Sequence, residues 1–121
     1  MSILLSAAAL AIAVCPPPPA RRETCVHDGD TVWIDREKIR LLDIDAPELD
    51  ATDPDERRRA ILARARLVAL LDGEAIVILR DGRDCFGRTL ARIETARGDV
   101  GQLLLSEGHA EGYRGERHPC G

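Results

Sequence analysis

Apolar and polar positions change rhythm several times along the chain, and each change marks an element. Thr24 to His27 reads as a first strand. Thr31-Val32-Trp33-Ile34 is rich in β-formers, Asp35-Arg36-Glu37 can turn the chain, and Lys38 to Ile44 returns as a partner strand. With no Asn-Gly or Asp-Gly pair at the turn, a hairpin with a longer loop is expected rather than a two-residue one. The period then becomes helical. Asp53 is a favourable N-cap, Pro54 suits the first helical position, and Glu56 completes a capping box. Ile61, Ala65, Val68 and Leu71 recur at helical spacing, and Gly73 sits where a left-handed C-terminal residue is expected. Ala75 to Leu79 is a continuous apolar run of the buried-strand type, and Asp81 to Gly87 is a loop with glycines at 82 and 87. Arg88 to Thr95 alternates as another strand. Val100 to Glu107 is a short helix closed by Gly108, and His109 to Gly121 is an irregular tail. Three strands, a helix, two strands and a short helix give a mainly β, α+β class. The order predicts a five-stranded OB-type barrel with one main helix and one short helix.

The N-terminal end has a different pattern. Ile3 to Val14 is a run of apolar and small residues, shorter than the ~20 needed to cross a bilayer. It suits the apolar region of an export signal, and Ala11-Ile12-Ala13 resembles a cleavage site, although no basic residue precedes the run. Pro16 to Pro19 forms a stiff spacer. The expected organisation is a leader and spacer over residues 1–21, which transiently engages the membrane, and one domain over 22–121. Cys15, Cys25, Cys85 and Cys120 lack a C-x-x-C pair, so disulfides in an exported protein, periplasmic or secreted, are expected rather than zinc. Maturation near Val14 or Cys15 follows. Lipid anchoring at Cys15 is the lesser alternative, because Val14 is unusual before an acceptor cysteine.

Composition narrows the choice further. The 121 residues suffice for one small core, and the net charge of −4 is not the footprint of a tight, non-specific nucleic-acid binder. Any grip on an anion must come from a few local cations. Arginines cluster at 57, 58, 59, 64 and 66, and again at 114 and 117 beside His118. Trp33, Phe86 and Tyr113 are the only aromatic residues, so each is a candidate for a special role.

The candidate chemistry lies in Asp28-Gly29-Asp30-Thr31-Val32, followed by Ile39 to Glu48. Converging carboxylates repel one another and are tolerated around a divalent cation or an arginine. An arginine beside such a cation grips phosphate, which points to phosphodiester chemistry. Two further stretches complete the set: Asp84-Cys85-Phe86-Gly87-Arg88, and Val100 to Ala110 with Glu107-Gly108.

Together these stretches, in this order, resemble the thermonuclease, or staphylococcal nuclease-like, family over about Cys25 to Tyr113. The resemblance implies the OB-type barrel. It also implies calcium held by Asp30, Asp45 and the Ala46 carbonyl, with Glu48 activating water and Arg40 and Arg88 on the scissile phosphate. The implied activity is calcium-dependent endonucleolytic cleavage of DNA and RNA leaving 3′-phosphate ends, by a monomer with no stable protein partner. Cys85 and Phe86 stand where the family often has lysine and tyrosine; Phe86 and Tyr113 remain available to stack a base. The chain ends soon after Tyr113, without the long C-terminal helix of the best-known members, so weaker affinity is expected. Asp43 is read as structural, and His27, His109 and His118, none on a catalytic position of the family, as structural or solvated. Two alternatives remain: a non-catalytic OB-fold module that binds nucleic acid, and a calcium-stabilised structural domain.

Overall fold

A computed structural model describes residues 8–113 of the chain. The tail carrying Arg114, Arg117, His118 and Cys120 lies outside the described residues. The elements are β1 (Cys25–Asp28), β2 (Thr31–Ile34), β3 (Glu37–Leu41), β4 (Ile44–Asp45), α1 (Pro54–Leu71), β5 (Val77–Arg83), β6 (Thr89–Thr95), β7 (Gly98–Asp99), α2 (Val100–Ser106) and β8 (Glu111–Gly112). The main sheet runs β1-β2-β3-β6-β5, with β7 on β6, and a small second sheet pairs β4 with β8. The class is α+β with two helices, as the sequence pattern predicts.

The strand order is that of an OB fold, including the parallel β3–β6 pair, but the sheet is not a closed barrel. The N-terminal segment explains why. Val14 bridges Val26 in parallel, the Val26 amide donates to the Ala13 carbonyl at 2.8 Å, and the Cys15 amide donates to the Val26 carbonyl at 2.9 Å. The outer edge of β1 is therefore occupied. Leu10 exchanges backbone bonds with Gly73 and Glu74, just ahead of β5. Ile12 is buried in the core, and its amide donates to Asp72 Oδ1 at 3.0 Å. Residues 10–15, read from sequence as the end of a leader, thus lie where a β1–β5 pair would close the barrel. A Cys15–Cys25 disulfide fastens them to β1.

The β2–β3 hairpin is tighter than expected. Ile34 pairs with Glu37, leaving a two-residue turn in which Asp35 and Arg36 both have positive φ, 49° and 69°. That is the backbone of a primed turn, which glycine or asparagine normally marks. Side and main chains hold it: Asp35 N donates to Thr24 Oγ1 at 3.0 Å and Arg36 N to the Glu23 carbonyl at 2.8 Å. Alternation then sorts the faces. Val32, Ile34, Ile39, Leu41, Ala91 and Ile93 enter the core, while Thr31, Trp33, Lys38 and Arg40 share the other face.

Two apolar runs are placed differently from their sequence reading. In α1 the buried positions are Ala60, Ala63, Leu67, Leu70 and Leu71, whereas Ile61 and Ala65 are exposed. The selected stripe is the one with small residues near the N-terminal end. There α1 approaches Gly29 so closely that an added Cβ would lie 2.9 Å from that of Ala63. β5 is an edge strand, not a buried one; Val77 and Leu79 stay exposed, and the strand extends through a bulge to Arg83. The capping box is also only half made. Asp53 accepts from Asp55 N, but Glu56 Oε2 accepts from Glu48 N in the loop beyond β4.

The core role of the N-terminal segment is directly measurable. Ile12→Ala, in protein carrying its full N terminus, is expected to lower unfolding free energy by about 2–4 kcal/mol in a urea titration. An unchanged midpoint would show that the segment does not belong to the core.

Candidate active site

The site is built from four turns of chain that meet at one end of β2 and β3. Asp28 closes β1 and Thr31 opens β2, so the Asp28-Gly29-Asp30 corner must be sharp. Asp28 Oδ1 accepts from the Asp30 amide at 3.1 Å and fixes it. Only glycine fits between them, because a Cβ there would come within 2.8 Å of the Ala46 side chain. Asp30 is buried; Oδ2 accepts from Ala46 N at 2.9 Å and Oδ1 from Thr31 Oγ1 at 3.1 Å. That pair of bonds ties the β1–β2 corner to the loop after β4.

Arg40 lies across from Thr31 in the β2–β3 ladder, which places it beside Asp30. Its Nη1 donates to the Leu41 and Ile44 carbonyls at 2.8 and 3.0 Å. Its Nη2 faces Asp30 Oδ2 at 3.5 Å and Asp45 Oδ1 at 3.6 Å. The guanidinium is thus held by backbone on one side and neutralises two carboxylates on the other. Both contacts on the acidic side are long, so those donors remain able to take a better acceptor.

The expected single strand from Lys38 to Ile44 is broken after Leu41. Asp43 adopts a left-handed φ of 67°, its carbonyl accepts from Tyr113 N at 2.9 Å, and its carboxylate pairs with Arg92. Asp43 is structural, as its sequence context suggests. The turn redirects the chain into β4, which pairs with β8 and carries Asp45 to the rim. Glu48 follows Pro47 on the same rim. Arg88 arrives from the β5–β6 loop. Asp84 holds it through Nε at 2.5 Å and also accepts from the amides of Phe86 and Arg88, both at 2.9 Å. These bonds draw the carboxyl of Asp84 below its usual range against the opposing effect of burial.

One cleft of about 390 Å³ gathers Asp30, Arg40, Asp45, Glu48, Arg88 and Tyr113. Tyr113 lies at its edge with its ring 5.9 Å from the Arg40 guanidinium carbon. Ala46 is buried behind this wall and Phe86 lies in an adjoining groove, so neither lines the cleft. The cleft also contains Asp28, His27 and Lys38, which the sequence reading did not assign to the site. The signal for Asp28 was present: a one-residue glycine corner turns both flanking aspartates toward the same space.

The acids strain against one another. Burial, then Asp30, push the Asp28 carboxyl up to about 7. Burial, then Asp30, also raise Asp45 and Glu48 above the usual carboxylate range, and Arg40 opposes both shifts. His27 is held neutral: burial lowers its pKa, and its Nδ1 lies 3.1 Å from Arg22 Nη1, a group that only donates. Among the described residues no three His, Cys, Asp or Glu side chains converge as a ready-made metal cage. The donors are nonetheless all oxygen, and their raised carboxyls are those a hard divalent cation would relieve.

A family model described as staphylococcal nuclease homologue matches residues 38–120. The match spans more than half of the 121 residues, and the chain belongs to that family. It is accordingly a nuclease-like or nucleic-acid-binding module. The match begins at β3, so Asp28 and Asp30 are placed in the site by geometry alone. Among curated proteins none matches the chain.

The raised Asp28 carboxyl has a definite sign for stability. Between its ordinary value near 3.8 and about 7 the folded state binds more protons than the unfolded one, so stability falls as pH rises through that window. Asp28→Asn keeps the oxygen that accepts from Asp30 N and removes the charge. In chelator-containing buffer the variant is expected to melt higher than wild type at pH 8 and about equally at pH 4. Equal melting at both would show that Asp28 carries no such penalty.

Proposed function

We propose that this member of the staphylococcal nuclease homologue family is a calcium-dependent endonuclease. In this reading it hydrolyses phosphodiester bonds of DNA and RNA and leaves 3′-phosphate ends. The observation that carries the reading is the meeting of Asp30, Asp45 and Glu48 with Arg40 and Arg88 in one cleft. A module that only bound nucleic acid would be weakened by those carboxylates, which repel its ligand, and a structural calcium domain would not need the two arginines.

Asp30, Asp45 and the Ala46 carbonyl are the groups that would hold calcium, which supplies positive charge to polarise a phosphoryl oxygen. The chain's own residues do the rest. Glu48 is the general base that takes a proton from the attacking water. Its raised pKa brings it closer to the range in which a carboxylate accepts a proton efficiently. Arg40 and Arg88 donate to phosphoryl oxygens as negative charge builds on them. Both are oriented beforehand, Arg40 by two carbonyls and Arg88 by Asp84. Little reorganisation is then needed at the moment of reaction. Cleavage of the bond to the 5′ oxygen leaves the phosphate on the 3′ side. Tyr113 beside Arg40 and Phe86 beside Arg88 offer ring faces to flanking bases.

The reading extends to location. The Cys15–Cys25 disulfide, the apolar N-terminal run and a site with few protein ligands for calcium support action outside the cytoplasm, where thiols oxidise and calcium is plentiful. No helix among the described residues is long and apolar enough to cross a membrane. Retention of residues 10–15 is compatible with export, since Ile12 and Ala13 contribute to the folded domain.

Plasmid DNA is expected to be cut in millimolar calcium and spared in excess chelator, with half-saturation near 10⁻⁴–10⁻³ M as in extracellular modules. Full cutting in chelator would overturn the calcium assignment.

Role separation follows from the same geometry. Glu48→Gln is expected to lower kcat strongly with an unchanged melting temperature. Arg88→Ala is expected to lose roughly 10²–10³-fold in rate. Near-wild-type turnover in either variant would remove that residue from the mechanism.

A further inference from the structure

Beside the cleft lies a second groove of about 490 Å³, walled by Trp33, Lys38, Arg83, Phe86, Arg88 and Thr89 among others. It joins the cleft directly, since Lys38 and Arg88 line both. Two of the chain's three aromatic residues face it. Trp33 pairs with Lys38 across the β2–β3 ladder, two residues along from the Thr31–Arg40 pair, so the groove and Arg40 occupy one sheet face.

The chemistry of the groove is specific. The Lys38 ammonium lies 5.7 Å from the Trp33 ring centre, and the Arg88 guanidinium lies 5.4 Å from that of Phe86. Lys38 and Arg83 have no carboxylate within ion-pair distance among the described residues, whereas Arg88 beside them is held by Asp84. The nearby acid Glu37 is already neutralised: Arg80 grips it with two bonds at 2.6 and 2.9 Å, and Thr89 Oγ1 adds a third at 2.7 Å. Trp33 Nε1 is the one buried side-chain polar atom without a partner among the described residues. Flat rings beside unpaired cations match a nucleobase joined to a phosphate, and no simpler anion needs the rings.

The geometry points to a second nucleotide subsite in this groove: one nucleotide flanking the scissile bond stacks its base against Trp33 and rests its phosphate on Lys38 and Arg83. The ligand class is single-stranded nucleic acid, because a base held in a duplex has no free face to offer. The assignment rests on the nuclease reading for its direction along the strand, since Arg40 and Arg88 fix the scissile phosphate next door.

Trp33 is the only tryptophan, so its emission reports this groove alone. The full chain, in chelator to prevent cleavage, is titrated with thymidine monophosphate, a short oligothymidylate and an abasic oligonucleotide of the same length. The oligothymidylate is expected to quench Trp33, the abasic strand to leave it bright, and the mononucleotide to quench far less. Lys38→Gln combined with Arg83→Gln, both surface changes, is expected to weaken oligothymidylate binding about tenfold or more. It is also expected to flatten the slope of log affinity against log salt by about 1, measured by anisotropy of a labelled strand. Unchanged affinity and slope in that variant, or equal quenching by the abasic strand, would overturn the subsite. If wild type cuts plasmid in calcium while Trp33 stays silent with bound oligothymidylate, the subsite falls and the nuclease reading stands. If Trp33 is quenched as described but nothing is cut, the subsite stands without the catalytic reading. A chain that neither binds nor cuts refutes both.

Discussion

The structure depends on holding four carboxylates near one another without letting them push the fold apart. Asp28, Asp30, Asp45 and Glu48 share one cleft, and Asp28 and Asp30 are buried. Arg40 is the counterweight. Its side chain is largely withdrawn from water, faces two of the acids, and is anchored to two carbonyls. Removing one partner from a buried charge pair leaves the other uncompensated, typically at a cost of 3–5 kcal/mol. Arg40 therefore serves folding and chemistry with the same atoms. In the proposed mechanism a phosphate takes its outer donors and the acids then need another positive charge, which is the physical case for proposing a cation in the same cleft.

Delivering those acids requires backbone that ordinary strands cannot provide. The Asp28-Gly29-Asp30 corner works because Gly29 can lie against Ala46 and Ala63, with no room for a side chain. That requirement reaches into α1, where alanine rather than the larger Ile61 faces the sheet. The left-handed Asp43 then ends β3 and aims β4 at the rim. Glu56 closes the circuit by leaving its expected capping role to hold the amide of Glu48. Helix position, turn conformation and acid placement are thus one coupled arrangement.

What was legible in the sequence follows from range. Local signals were strong: Asp53 caps α1, Gly73 and Gly108 are left-handed, and β2 and β6 fall where alternation puts them. The acids and arginines of the cleft were readable because their spacing carries chemistry. Features fixed by distant partners were not. β5 looks buried by composition yet lies at the edge of the sheet, paired with β6 alone among the described strands. Residues 10–15, part of the expected leader and spacer, pack against β1 and the end of α1, a contact that the apolar run alone does not specify. Scarcity alone marked Trp33 as a candidate for a special role, without saying which. Its significance comes from the loop of Phe86 and Arg88, more than fifty residues away in the chain, being folded beside it.

The arginine cluster at 57 to 66 shows why net charge is a poor guide to anion binding here. Arg57 donates to the Ala51 and Thr52 carbonyls, Arg58 pairs with Asp55, and Arg66 grips Glu107 with two bonds. These three cations are engaged in holding the approach to α1 and the α1–α2 contact, so not all of the cluster's charge is open to an anion. Arg92 and Arg80 are similarly engaged with Asp43 and Glu37. A net charge of −4 and a cleft full of acids would repel a polyanion everywhere except where cations remain unpaired or loosely held. Among the described residues Lys38, Arg83 and the outer donors of Arg40 are such positions, and these lie on or beside one sheet face. In the proposed reading, an acidic chain admits a nucleic-acid strand along that face, where local cations offset the surrounding negative charge.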